Sequence, residues 1–374
     1  MKSQVKRANL SQALNTVGRM VKQRATLPIL SNVMISSDKG RLKIAATDLE
    51  SAVITWIGAK VDEEGAVTIP ARTLIDYIAA TSFEVVTIDV RGTDIWLKSD
   101  RNKAMIKGMG VEEFPIIPQV KSSNWIKVSA GMIKNAIMAT SVAAALDETR
   151  PVLAGIYFVA RGSELKVVAT DSYRLAEYKM QIDKLPVALE FIIPARVANE
   201  LSRVLPSGEN EERESENDPK TEIAVGENQA EFKFSDNIFL SRQIEGAFPD
   251  YEQIIPKEFV YEFAVEKERL AEALRGASVF ARESGNNIKL TCTEGSVVVS
   301  AASAQVGDAE ATLKVESSGS PLTVAYNAKY ILDAINVISS QEIKIAFSGA
   351  LNPGLITGVG NDNYRYVIMP LRSE

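Results

Sequence analysis

Two spacings of apolar and polar positions run through this chain. Leu42, Ile44 and Ala46 alternate with Arg41, Lys43 and Ala45, the period of two expected of a half-buried strand. Leu165, Val167 and Ala169 repeat that phase further along. Leu10, Leu14, Val17 and Val21 lie instead at i, i+4, i+7 and i+11, which places them on one face of a helix. Val197, Leu201, Val204 and Leu205 do the same after Pro194, a residue suited to the first turn of a helix. The mixture predicts an α+β fold in which amphipathic helices pack on antiparallel sheet.

These patterns recur at a fixed distance. Arg41-Leu-Lys-Ile-Ala-Ala-Thr-Asp48 returns as Glu164-Leu-Lys-Val-Val-Ala-Thr-Asp171, an offset of 123 residues. Pro28-Ile-Leu30 and Pro151-Val-Leu153 are also 123 apart, and Ile69-Pro-Ala-Arg72 returns after 124 as Ile193-Pro-Ala-Arg196. A third copy is fainter: Val299-Ser-Ala-Ala-Ser303 falls 133 after Lys166-Val-Val-Ala-Thr170, and Asn327-Ala-Lys329 falls 133 after Pro194-Ala-Arg196. The extra length has a visible source near 207–218, where Glu209, Glu211, Glu212, Glu214, Glu216 and Asp218 face only Arg213. Phe114-Pro115 to Phe248-Pro249 is accordingly 134 residues, but Phe248-Pro249 to Met369-Pro370 is 121. Three repeats follow, at 1–123, 124–255 and 256–374, each with one helix near its start and one after the Ile-Pro-Ala-Arg position. The acidic insert has the composition of a solvated, mobile loop; an acidic mimic or partner-docking loop is the alternative.

Composition narrows the chemistry. Among 374 residues there is no histidine, so the commonest general base and metal ligand is missing. Cys292 is the only cysteine, which removes disulfide frameworks and thiolate clusters and fits a reducing cytoplasm. No apolar run reaches the roughly 20 residues of a membrane span, and Met1 to Arg7 does not read as a signal peptide. The net charge of −6 does not by itself argue against nucleic acid, because binding depends on where charges sit.

Thr26-Leu-Pro-Ile-Leu30, Ala46-Thr-Asp-Leu-Glu50, Ile69-Pro-Ala-Arg72, Ala169-Thr-Asp-Ser-Tyr-Arg-Leu175, Phe248-Pro-Asp-Tyr251 and the ending Val367-Ile-Met-Pro-Leu-Arg372 occur in one order across the chain. That set resembles the bacterial sliding clamp family, the beta subunits of DNA polymerase III. The resemblance implies three similar clamp domains per chain and a ring-shaped head-to-tail homodimer, with sheets outside and helices around a hole for duplex DNA. It implies a non-enzymatic processivity factor, without cofactor or metal, that tethers polymerases to DNA. Similar modules joined head to tail close readily into a ring.

Candidate DNA-facing cations are Arg19, Lys22, Arg24 and Arg72 in the first repeat, and Lys134, Arg196 and Arg203 in the second. Arg269, Arg275, Arg282 and Lys329 are those of the third. Phosphate contacts carry no sequence information, which suits a sliding ring; surface helices also carry such residues for solubility alone. By resemblance Arg24 and Arg72 match family DNA contacts. The resemblance also implies a groove for short peptides from polymerases and the clamp loader. Its walls are Leu153, Thr170, Ser172, Tyr173, Arg174, Leu175, Pro249, Gln253, Ile254, Asn327, Tyr330, Val367, Ile368, Met369, Pro370, Leu371 and Arg372. Such a groove offers apolar pockets with a polar rim, although Leu153, Leu175, Ile254 and Val367 also read as ordinary core. Tyr173 and Gln253 depart from the histidine and arginine frequent there, and Ser373-Glu374 extends the tail. For the dimer interface, the resemblance sets Ala104 and Ile106 against Val279 and Phe280 of the next subunit.

Two rivals remain. An enzyme on repeated α+β domains would use Thr47-Asp48 and Thr170-Asp171 as paired carboxylates, though equivalent places at strand ends suit structural turns better. Gly18, Gly40 and Gly108 are isolated and read as turns or tolerated small positions, not a phosphate loop. The other rival is a protein-interaction scaffold that never touches DNA.

Overall fold

The computed structural model describes residues 1–22, 27–122, 124–147, 149–207 and 218–372; Arg24, most of the acidic insert and the Ser373-Glu374 tail lie outside the described residues. Six α-helices occur among the described residues: α1 (Arg7–Val17), α2 (Ala71–Ala80), α3 (Ala130–Ser141), α4 (Ala195–Val204), α5 (Lys267–Ala281) and α6 (Ala328–Val337). They come two to a repeat, as the periodicity predicts. The chain divides into two compact units, residues 1–134 with 200–243, and 135–199 with 244–374.

The first unit is built on a twelve-stranded sheet. From the edge strand Lys103–Ile106 it runs through Asp94–Lys98, Val85–Arg91, Lys2–Lys6 and Ser51–Glu63 to Asn237–Arg242, Gln229–Phe234, Lys220–Val225 and Ile126–Ser129. Leu10, Ala13, Leu14 and Val17 of α1 are buried against the strands Arg41–Thr47 and Ser51–Glu63. Each such Leu or Val contributes about 1.5–3 kcal/mol by leaving water. Val21 does not continue that face, because the α-helix stops at Val17 and a 3₁₀ turn, Gly18–Met20, follows. A Cβ on Gly18 would come within 2.6 Å of Ile75 Cδ1 on α2, so this glycine allows the close approach of two helices. Gly108 is likewise required and not merely tolerated, since a Cβ there would collide with the carbonyl oxygens of Thr68 and Thr93.

The second unit holds a nine-stranded sheet and a four-stranded one. The larger runs from Leu189–Pro194 through Gly155–Arg161, Glu164–Thr170, Arg174–Gln181, Asn361–Ile368, Gly354–Gly358 and Glu342–Phe347 to Tyr261–Glu266 and Glu316–Gly319. The smaller is Gly307–Lys314, Ser296–Ser303, Asn287–Thr293 and Leu322–Asn327, with α5 packed on its first two strands and beside α6. Pro194 is the last residue of a strand rather than a first-turn residue, and Pro70 is its counterpart; α4 and α2 begin one residue later.

Register corrects the third-repeat alignment. Leu165, Val167 and Ala169 are fully buried, as are Val297 and Val299, while Lys166 is half-buried. The tight turns at Arg161↔Glu164 and Thr293↔Ser296 make Val167 and Val299 equivalent, 132 residues apart and not 133. A slip of one residue would turn every side chain to the other face. The helix after Asn327 keeps the predicted offset of 133. The Met369-Pro370 equivalence also changes: Met369 N–H donates to Tyr173 O at 2.9 Å as Arg242 N–H donates to Glu50 O at 2.8 Å, so Met369 matches Arg242 and not Phe248.

The Thr-Asp pairs are turns. Thr47 Oγ1 donates to Ser51 O at 2.8 Å, and Thr170 Oγ1 donates to Arg174 O at 2.7 Å. Asp48 Oδ1 accepts from the N–H groups of Glu50 and Ser51 at 3.1 and 2.8 Å; Asp171 Oδ1 accepts from those of Tyr173 and Arg174 at 2.9 and 3.0 Å. The residue between, Leu49 or Ser172, takes a left-handed φ of 74° or 80°. In the third repeat Ser303 Oγ accepts from Gln305 N–H at 3.3 Å, performing the aspartate's part. Burial alone would raise the Asp48 carboxyl, but hydrogen bonds from Ser51 and Lys22 hold it below its ordinary value. A carboxylate depressed in this way stabilises the fold above the unfolded value of about 3.9 and loses that contribution as pH falls through the lower folded value. Asp48→Asn is expected to cost about 1–2 kcal/mol at pH 7, with the deficit shrinking below pH ~4, as urea unfolding at the two pH values would register.

Candidate functional site

The predicted peptide groove falls within the second unit, where two strands and the chain's end converge on one arginine. Strand Arg174–Gln181 pairs with Asn361–Ile368, placing Arg174 opposite Ile368 and Leu175 opposite Val367. Beyond that strand Met369 N–H donates to Tyr173 O at 2.9 Å and Leu371 N–H to Ala325 O at 2.8 Å, so residues 369–371 are held on both sides. Arg174 is 9% exposed and sits at the centre. Its Nε donates to Asp171 Oδ2 at 3.1 Å, and its Nη1 to Asp333 Oδ2 at 2.6 Å and Tyr366 Oη at 3.3 Å. The guanidinium lies 4.1 Å from the centroid of the Tyr330 ring. Burial opposes its charge, yet Tyr366, Asp333 and Asp171 raise its pKa overall.

Around this hub the wall residues separate by access. Tyr173 is 59% exposed, Ile254 44% and Met369 37%, giving an apolar surface that water reaches. Leu153, Asn327, Tyr330, Pro370 and Leu371 are half-buried, and Ser172, Pro249, Gln253 and Arg372 are exposed. Ser172 Oγ accepts from Arg150 at 3.2 Å, and Gln253 donates to Asp250 at 2.5 Å. Leu175, Val367, Ile368 and Thr170 are buried; Leu175 and Val367 pack with Val168 and Tyr251 in one cluster. Leu175, read from the sequence both as groove wall and as core, is fully buried. Phe248, Tyr251 and Ile255 belong to the packing around Leu175 and Val367. Asp333, Tyr366 and Arg150 were not among the sequence candidates. Only the need of a buried arginine for acidic partners pointed toward Asp333 and Tyr366, and nothing in the sequence chose which.

The cation candidates spread over several helix ends. Arg72 begins α2 and lies 3.7 Å from Asp76; Arg196 begins α4 and is exposed; Lys134, on α3, donates to Ser207 Oγ at 2.8 Å. Arg275 on α5, Arg282 after it and Lys329 on α6 are exposed, and Arg269 pairs with Glu266 at 2.8 Å. Lys22, which is about half exposed, also has its Nζ 3.1 Å from the buried Asp48 carboxylate, so it locks the first-repeat turn. Arg19 and Arg203 come together on one open cleft, joined by Arg7, which the sequence did not single out.

At the predicted dimer edge, Ile106 is buried and Ala104 half-buried on the unpaired side of the twelve-stranded sheet. Val279 is 56% exposed, and Phe280 lines a pocket of about 560 Å³ with Ala309, Ala311 and Leu313 of the edge strand Gly307–Lys314. Cys292 is buried and its thiol is pushed up to about 12, a poor nucleophile. Among the described residues no helix is long and apolar enough to cross a membrane.

Removing the Arg174 guanidinium would strand two carboxylates. Arg174→Ala is expected to lower unfolding stability by about 3 kcal/mol, measured by chemical denaturation. Arg174→Lys should recover little of it, since one ammonium cannot bridge both aspartates and stack on Tyr330.

Three family models cover nearly the whole chain: DNA polymerase III beta subunit, N-terminal domain, at residues 1–118; central domain at 127–250; and C-terminal domain at 252–372. The beta sliding clamp of Staphylococcus aureus is 28% identical over 384 residues, covering 100% of both chains. Among solved structures, the DNA polymerase sliding clamp from Bacillus subtilis matches with a TM-score of 0.92 at 27% identity, and 100% of each chain is covered. A sliding clamp from Pseudomonas aeruginosa bound to griselimycin matches at 0.93 with 26% identity and the same full coverage. The chain belongs to the DNA polymerase III beta subunit family, the bacterial sliding clamps.

Proposed function

We propose that this chain is a DNA sliding clamp that closes as a head-to-tail homodimer around duplex DNA and holds polymerases there. One observation carries the reading: a strand relay that lacks its last partner. Strand Asn237–Arg242 completes the sheet beside Ser51–Glu63, and Asn361–Ile368 completes it beside Arg174–Gln181. By repeat equivalence Lys103–Ile106 belongs beside Gly307–Lys314, yet both stand at sheet ends. A second copy supplies the missing partner, and a heterologous contact of this kind closes into a ring.

The equivalence also sets the register. Val167 matches Val299, which makes Ala309 the counterpart of Ala176 and Glu310 that of Glu177. Ala104 and Lys103 are in turn the counterparts of Tyr366 and Arg365. Ala104 then lies opposite Ala309 of the other copy, Ile106 opposite Gly307 beside Phe280, and Lys103 opposite Glu310. Within the chain Arg365 lies 3.6 Å from Glu177, and the Lys103–Glu310 pair repeats that attraction between copies. Lys103→Glu and Glu310→Lys should each shift the protein toward monomer in sedimentation velocity, and the double variant should restore the dimer. Monomerisation that the double variant does not relieve would refute this register.

The surface around Tyr173, Ile254 and Met369 supports the partner half of the reading: short peptides from DNA polymerases and the clamp loader place apolar anchors there. The chain acts as a processivity subunit without a catalytic centre, in the cytoplasm. Loaded on nicked circular DNA by a clamp loader, it should resist a high-salt wash on circles and escape once the DNA is linearised. Equal loss from both forms, with a control clamp retained on circles, would favour a scaffold that does not encircle DNA.

A further inference from the structure

We infer that the joint between two copies is keyed by an exchange of volume: its aromatic side chain comes from the receiving helix, as Phe280, and the incoming strand carries Ala104 to make room for it. This rests on the head-to-tail dimer and adds to it which strands the joint admits. At the two joints inside the chain the incoming strand brings the aromatic. Phe239 lies opposite Val53 and Tyr366 opposite Ala176, and both aromatics are fully buried. Ala104 ends the cross-strand row Ile88–Leu97–Ala104. That row is the counterpart of Ile223–Phe232–Phe239 and of Ile345–Ile356–Tyr366.

The helix side changes in the opposite sense. Counted from the starts of α1, α3 and α5, Met20, Ala143 and Phe280 hold one place. Contacts agree with that equivalence. Ser51 Oγ donates to Met20 Sδ at 3.3 Å, and a Cβ on Gly307, the counterpart of Ser51, would stand 3.9 Å from Phe280 Cε1. Where the strand brings Tyr366 the helix offers the buried Ala143, and where the strand brings Ala104 the helix offers Phe280. Ile106 and its counterpart Ile368 are the same residue, so the aromatic is what changes sides. On the free edge Phe280 lines a pocket of about 560 Å³ with Ala273, Ala277, Ala309 and Ala311, small walls that leave its ring in reach of an incoming strand. Close-packed contacts tolerate exchanged volume and resist added volume. A strand bearing Phe239 or Tyr366 at this place would meet the Phe280 ring. The edge Gly307–Lys314 therefore refuses the completing strands Asn237–Arg242 and Asn361–Ile368 of another copy and takes Lys103–Ile106.

Ala104 and Phe280 are both half-buried in the single chain, so exchanging either leaves its closed core intact. Ala104→Phe sets two aromatics against each other at both joints of the ring, and Phe280→Ala leaves both joints hollow. In sedimentation velocity over a concentration series, each variant alone should dimerise roughly 30-fold or more weakly than the unaltered protein. Mixing the two variants should restore dimers containing one copy of each, followed by a fluorescent label on one of them. In that mixed pair one joint sets the introduced phenylalanine against the introduced alanine, and the other joint is unaltered. An Ala104→Phe variant that dimerises as tightly as the unaltered protein, or a mixture that stays monomeric, would overturn the exchange while the unaltered dimer stands. Unaltered protein that is monomeric throughout the series would instead strike the head-to-tail dimer itself.

Discussion

A β-strand with one unpaired edge has backbone donors and acceptors that must find partners, and the rest of this structure depends on how that need is met. The last strand of one repeat completes the sheet of the one before it. Ser51 meets Ser241, and Arg174 meets Ile368, in the same relation. Because main-chain hydrogen bonds make these junctions, they tolerate wide change in the side chains beside them. Ala52 stands where Leu175 does, and Leu240 where Val367 does, with the ladder unchanged. The same economy leaves Lys103–Ile106 and Gly307–Lys314 at the ends of their sheets, the two strands that the proposed dimer joins.

The turn that follows the repeated Thr-Asp strand shows how one backbone device acquires different tasks. All three repeats hold it with a side-chain oxygen accepting the N–H two residues on: Asp48 from Glu50, Asp171 from Tyr173 and Ser303 from Gln305. What locks it differs. Lys22 neutralises Asp48 in the first repeat, and Arg174 serves Asp171 in the second while also reaching Asp333 and Tyr366. Only the second turn gathers the chain's end around it, through Met369 and Leu371, and it presents Tyr173 to solvent. The candidate peptide groove is thus a repeat-wide turn with one arginine of long reach.

An acidic chain can still offer a basic surface, because charge acts where it is placed. The net charge of −6 is a sum over the whole sequence, whereas attraction to phosphate is local and falls off within about 8–10 Å at ordinary salt. The cleft beside α1 contains three arginines and no acid, and α1 itself has no acidic residue.

By itself the sequence determined the α+β class, the three repeats, two helices in each, and the family. Leu42, Ile44 and Ala46, or Leu10, Leu14 and Val17, are fully buried as their spacing implies, but Ala45 is fully buried too, so that strand is covered on both faces there and the alternation did not record it. It also pointed to the Thr-Asp pairs as turns; Tyr173 and Arg174 both read as residues not easily buried, and of the two only Tyr173 is exposed. Tertiary structure alone decided the rest. Val21 kept the helical spacing, but the helix ended at Gly18, where α2 comes close, and spacing does not record a neighbour. The third repeat was placed one residue out because Ser300, Ala301 and Ala302 are small on both faces and give a weak alternation; the turn at Thr293↔Ser296 settles it. Lys22 and Arg203 read alike as basic positions, and only the fold sends one to a buried aspartate and the other to an open cleft. Asp333 meets Arg174 from 159 residues away, a distance over which a single sequence leaves no local trace.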